Sequence, residues 1–259
     1  MRWLDLHTHT HLSADGATTP QALVTAARRA GLDGVAVTDH GTVEGALRVR
    51  EAAAGTGLEV IVGAEYSTDV GHVLGLFVER EIHLGTAARW PWREVLAAVR
   101  AQGGLAVLAH PTKTFRPLDP EVLAAMDGVE VFNSRAEWSR FPQANARARQ
   151  AWEDARRLRG GLLLATAGSD AHFPGEIGHA RCAVDCTGDL RRALGAGTRA
   201  VLGRGTAPLY EATSQALKAA RARTWRAAPR AAARLAWGGL RTLPHLAAGP
   251  GDTRWEVPE

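Results

Sequence analysis

Asp5-Leu6-His7-Thr8-His9, with Asp15-Gly16 close behind, follows a short apolar run at the start of the sequence. Side chains alternate faces along an extended segment, so His7 and His9 point to the same side. Two adjacent imidazoles at a strand end are poor core filler and good ligands for a divalent transition metal. Taken alone, the pair is as compatible with a structural role as with a metal site. The rest of the chain repeats the arrangement. Asp39 and His40, Glu65, His110, Asn133, and Asp170 with His172 each come just after an apolar, strand-like run.

Those runs are Arg2–Leu6, Gly34–Thr38, Leu58–Val62, Leu105–Leu108, Val129–Phe132 and Leu162–Ala165, with a further strand over Ala180–Asp185. His72–Val78 reads as an added strand in a hairpin. Helices are expected between them: Thr19 caps one that starts at Pro20 and ends before Gly31, and others cover Thr42–Ala54, Pro91–Gln102 and Gln143–Leu158. Near-continuous apolar strands separated by helices imply a parallel sheet covered on both faces. In a parallel β/α barrel the carboxyl ends of the strands converge on one face, where such folds build their sites. An α/β barrel with seven strand-like runs is therefore the expected fold, and an open doubly wound sheet is the weaker fit.

With 259 residues, 46% of them hydrophobic, the chain can bury one large core. Two cysteines, Cys182 and Cys186, are too few for a disulfide framework and read as free thiols. No apolar run reaches the ~20 residues of a membrane span, and the N-terminus has no signal-peptide pattern. A cytoplasmic location is expected. The formal net charge of +4 is unevenly placed. From Arg204 to Gly251, eight basic residues face Glu211 alone, so this segment carries +7 and the remainder −3. Boundaries of 1–205 for the barrel and 206–259 for an Arg-rich helical extension follow. Pro229 and Gly238-Gly239 are expected to interrupt its helix. Three roles compete for the extension: packing on the barrel, a nucleic-acid arm, or a membrane-surface helix. Trp225, Leu235, Trp237 and Leu240 favour packing.

Asp5-Leu6-His7-Thr8-His9 with Asp15-Gly16, Thr38-Asp39-His40, Gly63-Ala64-Glu65, Ala109-His110-Pro111 and Gly168-Ser169-Asp170-Ala171-His172 resemble, in order, the motifs of the PHP (polymerase and histidinol phosphatase) family. The resemblance runs from Arg2 to about Asp185 and implies a distorted seven-stranded (β/α)7 TIM-like barrel holding two or three divalent metals (Zn, Mn or Fe). It implies His7, His9, Glu65 and Asp170 around the first metal, Glu65, His72 and His110 around the second, and Asp15, His40 and His172 around the third. Mixed imidazole and carboxylate shells suit these metals better than Mg or Ca. A bridging Glu65 offsets repulsion between cations about 3.5–4 Å apart.

The implied activity is a metal-dependent phosphatase acting on a phosphate ester, through a hydroxide bridging two metals whose pKa falls towards ~7. His40, Glu65 and His172 are the expected catalytic residues. Lys113, Arg116 and Arg135 would bind the phosphate, while Asp39 and Asn133 would support ligands from behind. His83, His179 and His245 match no motif and read as surface or loop histidines. The expected substrate is a phosphorylated small molecule or nucleotide. The alternatives are an exonuclease or phosphodiesterase on RNA or DNA ends, using the basic extension, and a catalytically silent metal-binding module. Only about Glu79–Leu105 lies between the hairpin and the next strand, room for one helix, so the long cap of nucleotide-acting members is missing.

Overall fold

The computed structural model describes residues 1–113, 118–137, 143–222, 228–248 and 253–258. Its strands are β1 (Arg2–Thr8), β2 (Gly34–Val37), β3 (Glu59–Thr68), β4 (Gly71–Leu76), β5 (Leu105–Ala109), β6 (Gly128–Asn133), β7 (Leu164–Gly168), β8 (Ala180–Val184), β9 (Ala200–Gly203) and β10 (Thr253–Glu256). The helices are α1 (Pro20–Arg29), α2 (Glu44–Ala52), α3 (Trp92–Ala101), α4 (Pro120–Ala125), α5 (Ser134–Glu137), α6 (Ala144–Arg159), α7 (Leu190–Gly195), α8 (Pro208–Arg221) and α9 (Ala228–Ala248). Thr19 caps α1 through a hydrogen bond to the Ala22 N–H (3.3 Å), with Pro20 in the first turn. As the short spacing between β4 and β5 requires, α3 is the helix that joins them.

All ten strands form one sheet, in the order β10-β9-β8-β1-β2-β3-β4-β5-β6-β7. The expected count of seven is therefore corrected. The three strands beyond the seven are β4, the hairpin strand expected at His72–Val78, which pairs antiparallel with β3 and β5, and β9 and β10, which extend the edge beyond β8 by antiparallel pairing. The sheet curls until the chain leaving β7 meets β1: Asp170 N–H donates to His7 O (2.8 Å) and His9 N–H to Ala171 O (2.8 Å). This contact draws the ends of β1 and β7 together where the histidines cluster. Packing inside and around the curl is apolar, from Leu4 and Leu6 through Val35, Val107 and Val129 to Trp152.

Two local readings change. The third strand was expected to stop at Val62, but β3 continues through Glu65 to Thr68. Its partner switches at Gly63 from β2 to β4, so the strand outlasts its parallel neighbour and Glu65 lies inside it. In the basic segment, α9 runs through Gly238-Gly239 without a break and Pro229 sits in its first turn. Gly238 permits a close helix crossing: a Cβ there would lie 2.7 Å from Ala212 Cβ of α8. Beyond α9, β10 returns to the sheet edge beside β9. Arg223, Trp225 and Arg226 lie outside the described residues. No helix among the described residues is long and apolar enough to cross a membrane.

Candidate metal centre

Nine expected ligands lie on the wall of one cavity or directly beneath it. Glu65 is the pivot. Its Oε2 faces His40 Nδ1 (3.1 Å), His9 Nε2 (3.4 Å) and His7 Nε2 (3.5 Å). Its Oε1 faces His72 Nδ1 (2.6 Å) and His110 Nε2 (3.1 Å). One buried carboxylate thus spans two groups of imidazoles, one at each oxygen. Asp170 Oδ1 lies 3.4 Å from His9 Nε2 and 3.7 Å from His7 Nε2. Asp15 Oδ1 sits between His172 Nε2 (3.3 Å) and His40 Nε2 (3.6 Å). His110 and Asp170 adopt left-handed backbone conformations, φ +28° and +55°. Such strain in non-glycine residues is held by surrounding contacts. Here the holding bonds are His110 N–H to Glu130 Oε2 (2.7 Å) and Asp170 N–H to His7 O (2.8 Å).

Ring orientation follows from a hydrogen-bond chain. Asp39 accepts from Thr10 N–H (2.8 Å), the Thr10 hydroxyl (2.6 Å) and the Ser13 hydroxyl (2.6 Å). With its proton given to Asp39, Ser13 Oγ can only accept from His9 Nδ1 (3.1 Å). That places the His9 proton on Nδ1 and frees Nε2. Glu130 acts likewise on His7 Nδ1 (3.1 Å). The two Nε2 atoms then stand 3.1 Å apart, each ring having committed its other nitrogen. A proton or a metal ion must lie among them. Asp15 Oδ1 is buried without a hydrogen bond. Three sets of donors, His7/His9/Asp170, His7/Glu65/His110 and His9/His40/His172, each fall within 4.8 Å of one another. Mixed imidazole and carboxylate donors in this spacing fit divalent metals.

The charges point the same way. Burial would lower His40, but Glu65 and Asp15 raise it to about 10. Burial is likewise outweighed at His7, which Glu130, Asp170 and Glu65 push well up. His9 is pushed down by burial and by the neighbouring His172 and His40. Burial would raise Glu65, yet His72, His40 and His7 hold it well below the usual carboxylate range. Protons therefore collect on imidazoles beside carboxylates, where a bound cation would displace them.

The remaining expected residues separate. Lys113 reaches Asp170 Oδ2 (3.3 Å) at the cavity wall. Arg116 lies outside the described residues. Arg135 lines the cavity, but its buried guanidinium is held by Glu176 (2.8 and 2.7 Å), Glu211 (3.0 Å) and Ser214 (3.0 Å). Asn133 Nδ2 donates to Glu130 Oε2 (3.0 Å) and Asp170 Oδ2 (3.3 Å). Asp39 acts through Ser13 and touches no ligand imidazole directly. Sequence reasoning missed Glu130, Ser13 and Glu176. It also missed Lys218, which comes from α8 to Asp15 Oδ2 (3.3 Å). Glu130 left one trace, a lone carboxylate inside the apolar run of β6.

A curled α/β sheet with clustered histidines and carboxylates at its strand ends defines the class. The chain belongs to the PHP family, whose domain matches residues 5–193. An uncharacterised protein of Methanocaldococcus jannaschii is 32% identical over 142 residues, covering 50% of this chain and 81% of that protein. An error-prone DNA polymerase of Cutibacterium acnes is 44% identical over 69 residues, 26% of this chain and 6% of the polymerase. Among solved structures, a two-domain Bacteroides vulgatus protein containing a predicted PHP-like metal-dependent phosphoesterase superposes with a TM-score of 0.56. It is 21% identical, covering 70% of this chain and 58% of that one, and shows the likeness of the fold.

Proposed function

We propose that the chain is a metal-dependent phosphoesterase that hydrolyses a phosphate monoester, a small metabolite or nucleotide. The carrying observation is Glu65, whose two oxygens face two separate imidazole groups beneath a cavity of about 370 Å³. In this reading His7, His9, Asp15, His40, Glu65, His72, His110, Asp170 and His172 hold two or three ions of Zn, Mn or Fe. When bound, such ions supply an activated water and positive charge for phosphoryl oxygens.

The chain's own residues do the rest. Lys113 and Lys218 stand at Asp170 and Asp15, on two sides of the centre, and can orient phosphoryl oxygens by point charge. Exposed Arg89 adds a third cation to the lining. Arg135, held by two carboxylates, supports this wall and donates little to a substrate. His40, Glu65 and His172 line the cavity. Where two ions are held and Asp15, His40 and His172 bind none, the two imidazoles beside Asp15 can carry the proton required by the leaving oxygen. A cavity of this volume suits a phosphorylated metabolite. A cytoplasmic setting accords with the free thiols of Cys182 and Cys186.

The test is hydrolysis of an aryl phosphate by protein supplied with Mn, followed by a screen of phosphorylated metabolites and short oligonucleotides. Turnover that requires metal and is lost in Glu65→Gln supports the reading. Metal-loaded protein with no turnover on any phosphate ester would leave a silent metal-binding module instead.

A further inference from the structure

The outer face of α9 is built the wrong way round for a helix surrounded by water. Residues advance by about 100° around a helix. Gly238 and Thr242 point inward and are buried against α8, where Thr242 Oγ accepts from Leu209 N–H (3.1 Å). Opposite them, over an arc of roughly 140°, come Ala232, Ala233, Ala236, Trp237, Leu240 and Leu243, all exposed. Trp237, Leu240 and Leu243 are 62%, 59% and 63% exposed. An amphipathic helix packed on a domain normally hides this face and shows charge to solvent. Here the apolar face is outside, as the largest cluster of exposed big apolar side chains among the described residues.

Charge lies along one edge of that face. Exposed Arg234 and half-buried Arg241 border the Trp237 side. Between Ala212 and Gly251 the sequence has seven Lys and Arg residues and no acidic residue. A surface that is apolar with a basic border, carrying a tryptophan, complements the headgroup and acyl boundary of an anionic bilayer. Nucleic acid would use the arginines but leave Trp237, Leu240 and Leu243 in water. A second copy packed antiparallel about a two-fold axis would set arginine edge against arginine edge.

The structure assigns α9 to a lipid partner: its Trp237–Leu240–Leu243 face lies flat on an anionic membrane surface, with Arg234 and Arg241 at the headgroups. The chain would then be held peripherally, without crossing the bilayer. This is independent of the chemistry at the metal centre, because none of these residues lines the cavity.

The experiment is flotation of the full chain with vesicles of phosphatidylcholine alone or mixed with phosphatidylglycerol, at low and high salt. Binding to the mixed vesicles only, weakened by salt, is expected. Trp237→Ala with Leu240→Ala should reduce it by roughly tenfold or more, and Arg234→Glu with Arg241→Glu should abolish the preference for anionic lipid. Both double variants should keep normal circular dichroism and small-ester turnover. Three outcomes overturn the proposal: no flotation with either vesicle, flotation lost on charge reversal but indifferent to Trp237 and Leu240, or a solution dimer that the Trp237/Leu240 variant dissociates while vesicles bind neither protein.

Discussion

The Nε2 atoms of His7 and His9 stand 3.1 Å apart, while their Nδ1 atoms are tied to Glu130 and Ser13. Two residues separated by one in sequence thereby share a single point in space. Only a proton or a metal ion can occupy it without conflict, so occupancy by metal and protonation of the centre are competing states.

Metal content is the first consequence. Protein purified without chelator is expected to carry two or three transition-metal ions per chain by elemental analysis. Stripping them should lower the melting temperature, since a ligand at about a thousand times its Kd contributes ~4 kcal/mol. For a chain of this size that is roughly 8–16 °C. Uptake at neutral pH should release protons, because without ions His40 holds its proton up to about 10 and His7 well above its ordinary value. The sign is fixed: affinity falls as pH falls. Calorimetry in buffers of different ionisation enthalpy measures the release, and fewer than one ion per chain with no uptake would refute the centre.

Glu65→Gln preserves shape and removes the charge between the two imidazole groups. Turnover should fall on the order of 100–1000-fold, with weaker metal binding and an intact fold. Near-normal activity and metal content would show that Glu65 is no bridge.

Ser13→Ala breaks the hydrogen-bonded step between Asp39 and His9, and Glu130→Gln loosens His7. Each should cost about 10–100-fold in metal affinity, read by competition with a chromophoric chelator. Because Ser13 is small, its variant should fold normally. Unchanged affinity would show that these rings need no orienting partner.

Arg135 and Lys218 should behave oppositely. Arg135→Ala strands the buried Glu176 carboxylate, which also accepts from His172 N–H and Phe173 N–H (3.0 Å each). A loss of about 3–5 kcal/mol in stability is expected, measured by urea unfolding. Lys218→Ala removes a half-exposed cation and should raise KM for a phosphate ester with little change in unfolding. A stable Arg135→Ala protein with raised KM would return Arg135 to phosphate binding.

The candidate centre was legible because its donors recur at strand ends. His7-Thr8-His9, Asp39-His40, Glu65, His110 and Asp170-Ala171-His172 each follow or close an apolar run, and alternation along β1 alone turns His7 and His9 to one side. Helix starts such as Thr19-Pro20 were equally local. What the sequence could not settle depends on pairing between distant segments. Whether β3 stops at Val62 or carries Glu65 within it is decided by β4, because a strand continues for as long as some neighbour takes its hydrogen bonds. Gly238 looks like a helix breaker in isolation and becomes a contact point only when α8 lies against it. Lys218 reaches Asp15 across 203 residues of sequence, and Arg135 is claimed by Glu176 and Glu211 before any phosphate arrives. Residue type and spacing determined which atoms can hold metal. Which charges are already neutralised, and which remain free for a substrate, is a sum over neighbours that only the folded chain brings within a few ångströms.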